Sequence, residues 1–418
     1  MKKIGLLNIQ HIDNYGANLI SYSMEQEAGL ATDHTAEVTT IRFLPDRKKS
    51  YKQANTLLNS IRVNGIAGIG KKISASFNRM NYKLRTGIRK TALFRLAKRL
   101  LKKGSPEQAC ADDKTLELKR LRAENFESFH SRVLHLSEPI SIENIDKLDY
   151  DVIVVGSDVV WKPQRLLAKE ENCAYFLTRV KKSAGIAYAA SIGISDEKIL
   201  GRLSKRYKAA VRRFSFVSMR ERNAQKYIGE LLPDTEVANC IDPVFLRTAN
   251  EYEQLIAGIA PKHDAYVYVY LMGNNKEACR YAQKLAEQKG LKIVFHTNYS
   301  DIGFEGESSL SDGPLEFLSR IKNADYIVTD TFHGTAFSII FHKRFITFTR
   351  GNMSVRLEDF LSHIDLKDRF VESTDDIGRI DAAIDYSRVD EVLGEWISAS
   401  QKWFSNAVNS ALNNTSGE

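Results

Sequence analysis

The sequence is poor in cysteine and has no long hydrophobic run. Its 418 residues include four cysteines, and no two of them form a CxxC pair. A structural zinc site or a disulfide scaffold is therefore not expected, and a reducing cytoplasm is the default compartment. No apolar run reaches the roughly 18 residues that a membrane-spanning helix needs. The first ten residues lack the long apolar core of a signal peptide and are better interpreted as a strand.

The sequence also lacks the short motifs of several enzyme classes. It contains no HExxH zinc motif, no Walker lysine and no GxSxG nucleophile elbow. Its acidic residues are not spaced as a convincing metal cluster. We therefore expect chemistry that uses no metal ion.

Acidic residues are missing from one long stretch. The chain has 60 Lys and Arg against 52 Asp and Glu, which gives a net charge of +8. Residues 47–106, the basic segment, hold 17 basic residues and no acidic ones, so the other 358 residues together carry −9. The protein is therefore a mildly acidic body that carries one cationic segment.

The last part of the basic segment, residues 90–103, has the pattern of an amphipathic helix with leucines on one face and basic residues on the other. Such a helix suits an anionic membrane surface, so we expect a cytoplasmic protein held peripherally on the inner face of the cell membrane. A solvated helical insertion, or one packed on the acidic body, is the alternative. Nucleic acid binding is not expected, because the few aromatic residues form no recognisable binding motif.

Outside the basic segment, short apolar strands alternate with amphipathic helices. This alternation predicts parallel sheets with helices on both faces, and it occurs in two series. We therefore predict an α/β protein with two Rossmann-like domains. Residues 1–248 form the first, which contains the basic segment as an insertion, and residues 249–352 form the second. A C-terminal helical segment is predicted at 353–418.

Polar residues follow several predicted strands, where open parallel sheets bind ligands. His333 and Gly334 lie between the strand at 325–329 and a helix predicted over 334–342. A histidine there exchanges protons near neutral pH, and a helix start with glycine accepts an anion closely. A capping loop with a half-exposed histidine is the alternative interpretation.

The first strand is followed by Asn14, Tyr15, Gly16 and Asn18, at the start of a helix predicted over 17–27. Amide side chains beside a glycine suit a polyhydroxylated or anionic ligand. A glycine turn with an asparagine cap is the alternative.

Three further segments follow strands. Asp158 precedes Trp161, whose ring face suits a sugar, although core packing is the alternative. Arg220 suits bidentate binding of a carboxylate or phosphate, although a surface pair with Glu221 is the alternative. Arg356 follows the last strand and is placed to close the site from the second domain.

Seven ordered stretches resemble the polysaccharide pyruvyl transferase family. They are HIDNYGANLISYSM, DVIVVGSDVVW, AYAASIG, SMRERNAQKYI, IDPVFL, NADYIVTDTFHGTAFSIIFHKRF and SVRLEDFL. The set extends from about residue 4 to residue 369, and TDTFHGTAFSIIF at its centre is its strongest part.

The resemblance implies a fold of glycosyltransferase-B type with a cleft between two domains. It implies transfer of the enolpyruvyl unit of phosphoenolpyruvate to a sugar, forming a pyruvate ketal, in the synthesis of a cell-surface polysaccharide such as an exopolysaccharide. Phosphoenolpyruvate is then the donor substrate, no cofactor is used, and a glycan or lipid-linked sugar is the acceptor. A nucleotide-sugar-dependent glycosyltransferase of the same fold is the alternative.

Roles for the candidate residues follow from the resemblance. His333 is the expected general acid/base, and Arg220 is expected to hold the donor's carboxylate or phosphate. The other expected donor-binding residues are Arg356, Gly334, Thr335 and Thr331. The expected acceptor-binding residues are Asn14, Tyr15, Gly16, Asn18 and Asp158.

Overall fold

Two helix-covered parallel sheets account for most of the described chain. The computed structural model describes residues 1–9, 13–45, 106–260, 265–297, 305–350 and 355–415, with backbone alone at 106–114, 169–171, 355 and 356. All of the basic segment except Pro106 lies outside these residues. Its amphipathic helix and its membrane contact therefore stay predictions.

The first sheet has six strands. They are β1 (Lys3–Leu7), β2 (Glu37–Thr40), β3 (Val152–Val155), β4 (Ala184–Ala190), β5 (Phe216–Met219) and β6 (Val237–Asn239). All pairs are parallel, in the order β2-β1-β3-β4-β5-β6. β3 reads VIVV and is buried throughout, as expected of β-branched residues in a strand covered on both faces.

The second sheet also has six strands. They are β7 (Tyr266–Leu271), β8 (Lys292–Thr297), β9 (Glu307–Ser308), β10 (Tyr326–Thr329), β11 (Arg344–Phe348) and β12 (Phe370–Val371). Their order, β12-β11-β10-β7-β8-β9, is that of a Rossmann fold, and every pair is parallel. The predicted α/β class with two Rossmann-like halves is confirmed.

Helices connect and cover the strands. They are α1 (Tyr15–Ala31), α2 (Pro106–Val133), α3 (Pro163–Leu167), α4 (Lys169–Tyr175), α5 (Glu197–Val211), α6 (Arg222–Leu231), α7 (Ala249–Leu255), α8 (Lys276–Lys289), α9 (Pro314–Asn323), α10 (Phe332–Ile340), α11 (Val355–His363) and α12 (Tyr386–Asn414). The sequence sets their ends locally. Asn275 caps α8 through its side chain, and Gly290 ends it in a left-handed conformation with φ 65°.

The C-terminal segment contacts both halves. β12 adds a strand to the second sheet, which the helical interpretation of 353–418 did not include. α12 then returns to the first half, where the ring of Phe404 lies 5.2 Å from that of Tyr188. The Ser400 hydroxyl accepts a hydrogen bond from the Ile241 N–H at 3.0 Å. The predicted helical segment therefore belongs partly to each half of the fold.

One hydrophobic core runs across the two halves, and Tyr15 lies in its middle. The Tyr15 ring stacks on Phe317 of the second half at a centroid distance of 4.5 Å and on Phe126 of α2 at 5.7 Å. Arg122, also in α2, donates to the Tyr15 hydroxyl and to the Asp312 carbonyl oxygen. α2 therefore ties the start of α1 to the second half.

Candidate active site

Four ionisable side chains from both halves meet beyond the carboxyl ends of the strands. Asp158 follows β3, Arg220 follows β5 and Asp242 follows β6. His333 approaches Asp242 from the second half, at the start of α10. Because α/β proteins bind ligands at the carboxyl ends of parallel strands, this cluster is the candidate active site.

Threonines build the start of α10, where His333 lies. Thr331 Oγ1 accepts from the Gly334 N–H at 2.9 Å and lies 2.9 Å from Thr329 Oγ1. Thr335 Oγ1 donates to the Thr331 carbonyl oxygen at 2.9 Å. A Cβ atom at position 334 would lie 2.4 Å from Thr329 Oγ1, so the turn requires glycine. The Gly334 N–H, expected to face the donor, is thus engaged within the helix start that holds His333.

The imidazole of His333 is packed between the halves and is 9% exposed. Its Nε2 lies 3.9 Å from Asp242 Oδ2, within ion-pair range. Phe332 packs edge-on at a centroid distance of 5.4 Å. A methyl group at Gly16 would lie 2.0 Å from Nδ1, 2.2 Å from Cγ and 2.4 Å from Cε1. These similar distances place the Gly16 backbone over the face of the ring, outside the ring plane.

Gly16→Ala is expected to displace His333. A Cβ essentially never lies within 3.0 Å of another heavy atom, so α1 or the imidazole must move. We expect a loss of about 1–3 kcal/mol in the free energy of unfolding, as for other overpacked sites. Because small displacements of catalytic groups are costly, we also expect turnover to fall by about 10²-fold. Urea unfolding and steady-state rates measure the two effects.

The matched controls are Gly201→Ala in α5 and Gly229→Ala in α6. A Cβ at either position meets no atom within 4 Å. These variants are expected to gain about 0.5–1 kcal/mol, because alanine favours the helix more than glycine does. If Gly16→Ala behaves as they do, Gly16 does not pack on His333.

Arg220 is almost completely buried among carboxylates. Its Nη1 donates to Asp242 Oδ2 at 2.5 Å and its Nε to Glu221 Oε1 at 3.2 Å, while Nη2 lies 3.6 Å from Asp158 Oδ1. The guanidinium also lies 4.6 Å from the centroid of the Phe332 ring. Burial disfavours the charged form, but the three carboxylates outweigh it and raise the pKa of Arg220 above its ordinary value.

The charge balance of this cluster is negative, because three carboxylates surround one guanidinium. Arg220 is therefore already paired before any substrate binds. Its buried Nη2 nevertheless makes no hydrogen bond to the described residues. The facing Asp158 side chain is 19% exposed and is the carboxylate of the three that is most open to solvent. A ligand oxygen that replaces Asp158 at Nη2 would complete the hydrogen bonding of Arg220.

Asp242 is a site residue that the sequence reasoning missed. The pattern Ile241-Asp242-Pro243 predicts only a turn that closes the first half. In the structure the Asp242 side chain is fully buried, with Oδ1 capping the Val244 N–H at 3.2 Å and Oδ2 bound to Arg220. The available signal was its position directly after a strand whose carboxyl end faces the site.

A second missed pair lies where the strand order of the second sheet reverses, between β7 and β10. The Asp330 carboxylate accepts from the N–H groups of Met272 and Gly273, both at 2.8 Å. Burial raises the pKa of Asp330, and these hydrogen bonds and the charge of Arg350 oppose the shift. The half-buried Arg350 side chain lies against Gly273. This crevice therefore holds a partly exposed cation.

Most residues expected to contact an acceptor lie at the start of α1. Asn14 Oδ1 accepts from the Ala17 N–H at 3.0 Å and caps the helix. Asn18 is buried, with Nδ2 donating to the Asn14 carbonyl oxygen at 2.9 Å and Oδ1 lying 2.5 Å from His130 Nε2. Tyr15 lies in the core. These contacts position Gly16 against His333.

Arg356 and Trp161 are the other two residues that the sequence suggested for the site. The side chain of Arg356 lies outside the described residues, so its role stays a prediction. Trp161 is fully buried, stacks on Phe176 at 5.5 Å and donates from Nε1 to the Tyr175 carbonyl oxygen at 2.9 Å. Core packing, the alternative interpretation, therefore accounts for Trp161.

The described residues contain neither a metal cluster nor a membrane-spanning helix. No group of three or more His, Cys, Asp and Glu side chains there is arranged to hold a metal ion. No helix in the same residues is both long enough and apolar enough to cross a membrane.

Two Rossmann-like halves with ionisable side chains meeting between them define a two-domain α/β protein with its candidate site at the junction of the halves. The profile of the family described as polysaccharide pyruvyl transferase matches residues 14–352, most of the chain. The chain belongs to the polysaccharide pyruvyl transferase family. Membership makes it a pyruvyl transferase of polysaccharide biosynthesis.

The solved structures that are similar to this chain are distant from it in sequence. UDP-GlcNAc 2-epimerase from Neisseria meningitidis, bound to UDP-GlcNAc, has a TM-score of 0.43 and 10% identity, with 98% of this chain and 98% of that chain covered. The epimerase of Methanocaldococcus jannaschii, in complex with UDP-GlcNAc and UDP, has a TM-score of 0.41 and 13% identity, with 94% and 93% covered. An E. coli heptosyltransferase with ADP has a TM-score of 0.36 and 10% identity, with 94% and 99% covered. Comparison with curated proteins gave no match.

Proposed function

We propose that this protein transfers the enolpyruvyl unit of phosphoenolpyruvate to a sugar and closes it to a pyruvate ketal, in the synthesis of a cell-surface polysaccharide. The observation that carries the proposal is the meeting of His333, Arg220 and Asp242 between the two halves of a chain of this family. A proton-exchanging group beside a cation is what this reaction requires.

The reaction moves two protons and releases one phosphate. One sugar hydroxyl oxygen attacks the phosphate-bearing carbon of phosphoenolpyruvate, while the methylene carbon takes up a proton and becomes a methyl group. A second hydroxyl oxygen then attacks the same carbon, and the bond from that carbon to the phosphate oxygen breaks. Two C–O bonds form and one breaks. One hydroxyl proton ends on the methyl group, and the other leaves with the phosphate.

His333 is the proposed acid/base in these steps, because an imidazole exchanges protons near neutral pH. Arg220 is proposed to bind an anionic donor oxygen through Nη2, while its other nitrogens stay on their carboxylates. Phosphoenolpyruvate carries a carboxylate and a phosphate, which the negative cluster alone would repel. We therefore assign Arg350 and Arg356 to the donor as additional cations.

Asp158 is the residue proposed to face the acceptor, since its carboxylate accepts hydrogen bonds from sugar hydroxyls and is partly exposed. Tyr15 and Asn18 are reassigned to holding α1, because their side chains are buried. The proposed acceptor is a glycan or lipid-linked sugar in the cytoplasm. The basic segment is proposed to bring the site close to the membrane surface.

A donor comparison tests the proposal. Wild-type protein is incubated with candidate acceptor glycans and with either phosphoenolpyruvate or a UDP- or ADP-sugar. Phosphate release is expected with phosphoenolpyruvate only, and only when an acceptor is present. Phosphoenolpyruvate without acceptor is the control for simple hydrolysis. Consumption of a nucleotide sugar while phosphoenolpyruvate stays intact would instead establish the alternative, a glycosyltransferase.

A further inference from the structure

One buried carboxylate joins the two side chains that the proposed reaction uses. Asp242 Oδ2 lies 2.5 Å from Arg220 Nη1 and 3.9 Å from His333 Nε2. The Ser157 hydroxyl lies 3.5 Å from the same oxygen, and Oδ1 is held by the Val244 N–H. These contacts fix the carboxylate so that one of its oxygens faces the imidazole.

A carboxylate buried in this way favours one tautomer of the His333 imidazole. A proton on His333 Nε2 points at negative charge and is stabilised, whereas a lone pair on Nε2 is repelled by it. The partner of one histidine nitrogen decides which tautomer is present, and so which nitrogen is left to react.

We propose that Asp242 is a positioning residue for His333, which keeps a proton on Nε2 and leaves Nδ1 as the nitrogen that exchanges protons with the substrate. Gly16 agrees with this assignment, because it covers the face of the ring and not the plane in which the Nδ1 lone pair lies. The role in turnover rests on the proposed function. The tautomer is a property of the folded protein alone.

The charges that the described residues place near His333 determine the expected pH effect. Asp242 faces the ring directly, Arg220 lies behind Asp242, and Asp158 and Glu221 lie on Arg220. The backbone of Gly16 in α1 lies over the ring, and the positive end of the α10 dipole opposes protonation. Removing the charge of Asp242 removes the anion that stabilises the imidazolium. It also leaves the positive charge of Arg220 without the carboxylate that lies between it and the ring. Both changes destabilise the imidazolium.

Asp242→Asn is therefore expected to lower kcat by about 10²-fold, in the range of lost acid–base catalysis. The limb of the pH–rate profile that reports His333 is expected to move to lower pH. Asp242→Glu keeps the charge and is expected to restore that limb and part of the rate. A purely structural role would reduce the folded fraction, measured by circular dichroism, and leave the limb of the remaining enzyme in place.

Nitrogen-15 NMR of histidine-labelled wild-type protein tests the tautomer even if the Asp242 variants do not fold. His333→Gln assigns the signal, and we expect the neutral ring to carry its proton on Nε2. A proton on Nδ1 would overturn the inference, as would an unchanged rate and pH profile in Asp242→Asn of an enzyme that uses phosphoenolpyruvate. Failure of the wild-type protein to use that donor would refute the proposed function and leave the tautomer result standing.

Discussion

His333→Gln is expected to lower phosphoenolpyruvate-dependent phosphate release by about 10²–10⁴-fold, the usual contribution of a general acid/base. Glutamine fills similar space and still forms hydrogen bonds, but it does not exchange a proton near neutral pH. The fold is expected to survive, because Gly16 and Phe332 keep a side chain to pack against. His333→Ala is expected to lose activity equally and to leave a small cavity. Steady-state phosphate release and circular dichroism measure rate and folding together.

The control is His342→Gln, just beyond the end of the same helix. The His342 side chain is 48% exposed and pairs with Asp390 at 3.1 Å, outside the cluster. Its replacement is expected to leave the rate unchanged. A near-normal rate in His333→Gln, with the control also active, would remove His333 from the mechanism.

Arg220→Met is expected to produce the largest loss of stability, about 3–5 kcal/mol in the free energy of unfolding. Methionine fills most of the arginine volume but leaves Asp158, Glu221 and Asp242 without their shared cation. Turnover is expected to fall as well, because Asp242 then loses the hydrogen bond from Arg220 that holds its carboxylate in place. Arg220→Lys keeps the charge but lacks the planar fork, so its loss should be smaller. Urea unfolding measures the series.

The pH dependence of this stabilisation has a defined sign. The pKa of Arg220 is raised in the folded protein, so its contribution is complete below the ordinary arginine pKa and is lost only in strong alkali. The difference between wild type and Arg220→Met is therefore not expected to vary through titration of Arg220 around neutrality.

Arg120→Met is the matched control for Arg220. It removes an exposed arginine that pairs with Glu117 and Glu124 on the surface of α2, and we expect little change because solvent screens such pairs. An unfolding midpoint of Arg220→Met that equals that of this control would show that the buried charge cluster does not stabilise the fold.

Local elements of the fold were predictable because hydrophobic periodicity is a local property. β4 is predicted and found at 184–190, and α8 is predicted at 275–289 and found at Lys276–Lys289. α1 is longer than predicted, since Asn14 caps it earlier and its buried face continues to Gly29. The strand β12 was missed because its two residues are too short to show a period.

The candidate site was predictable in part. Asp158 and Arg220 each follow a strand of the first sheet, and the rule for parallel sheets brings them to the same edge. His333 follows a strand of the second sheet, and the cleft that the family resemblance implies is what places it opposite them. The burial of Tyr15 was not predictable, because the rings that pack on it, Phe126 and Phe317, are distant in sequence. Asp242 follows β6 of the first sheet, so its place beside Arg220 could have been predicted, but its contact with His333 depends on the meeting of the two halves.

The most direct test of the account is the fate of the pyruvyl carbon. Phosphoenolpyruvate labelled in its carboxyl carbon is supplied with an acceptor glycan, and the glycan product is isolated. We expect one label in the glycan for each phosphate released, held as an acid-labile pyruvate ketal on two hydroxyl oxygens, and almost no label with His333→Gln. Phosphate release with the label left in free pyruvate, or an unlabelled glycan extended by a sugar, would contradict it.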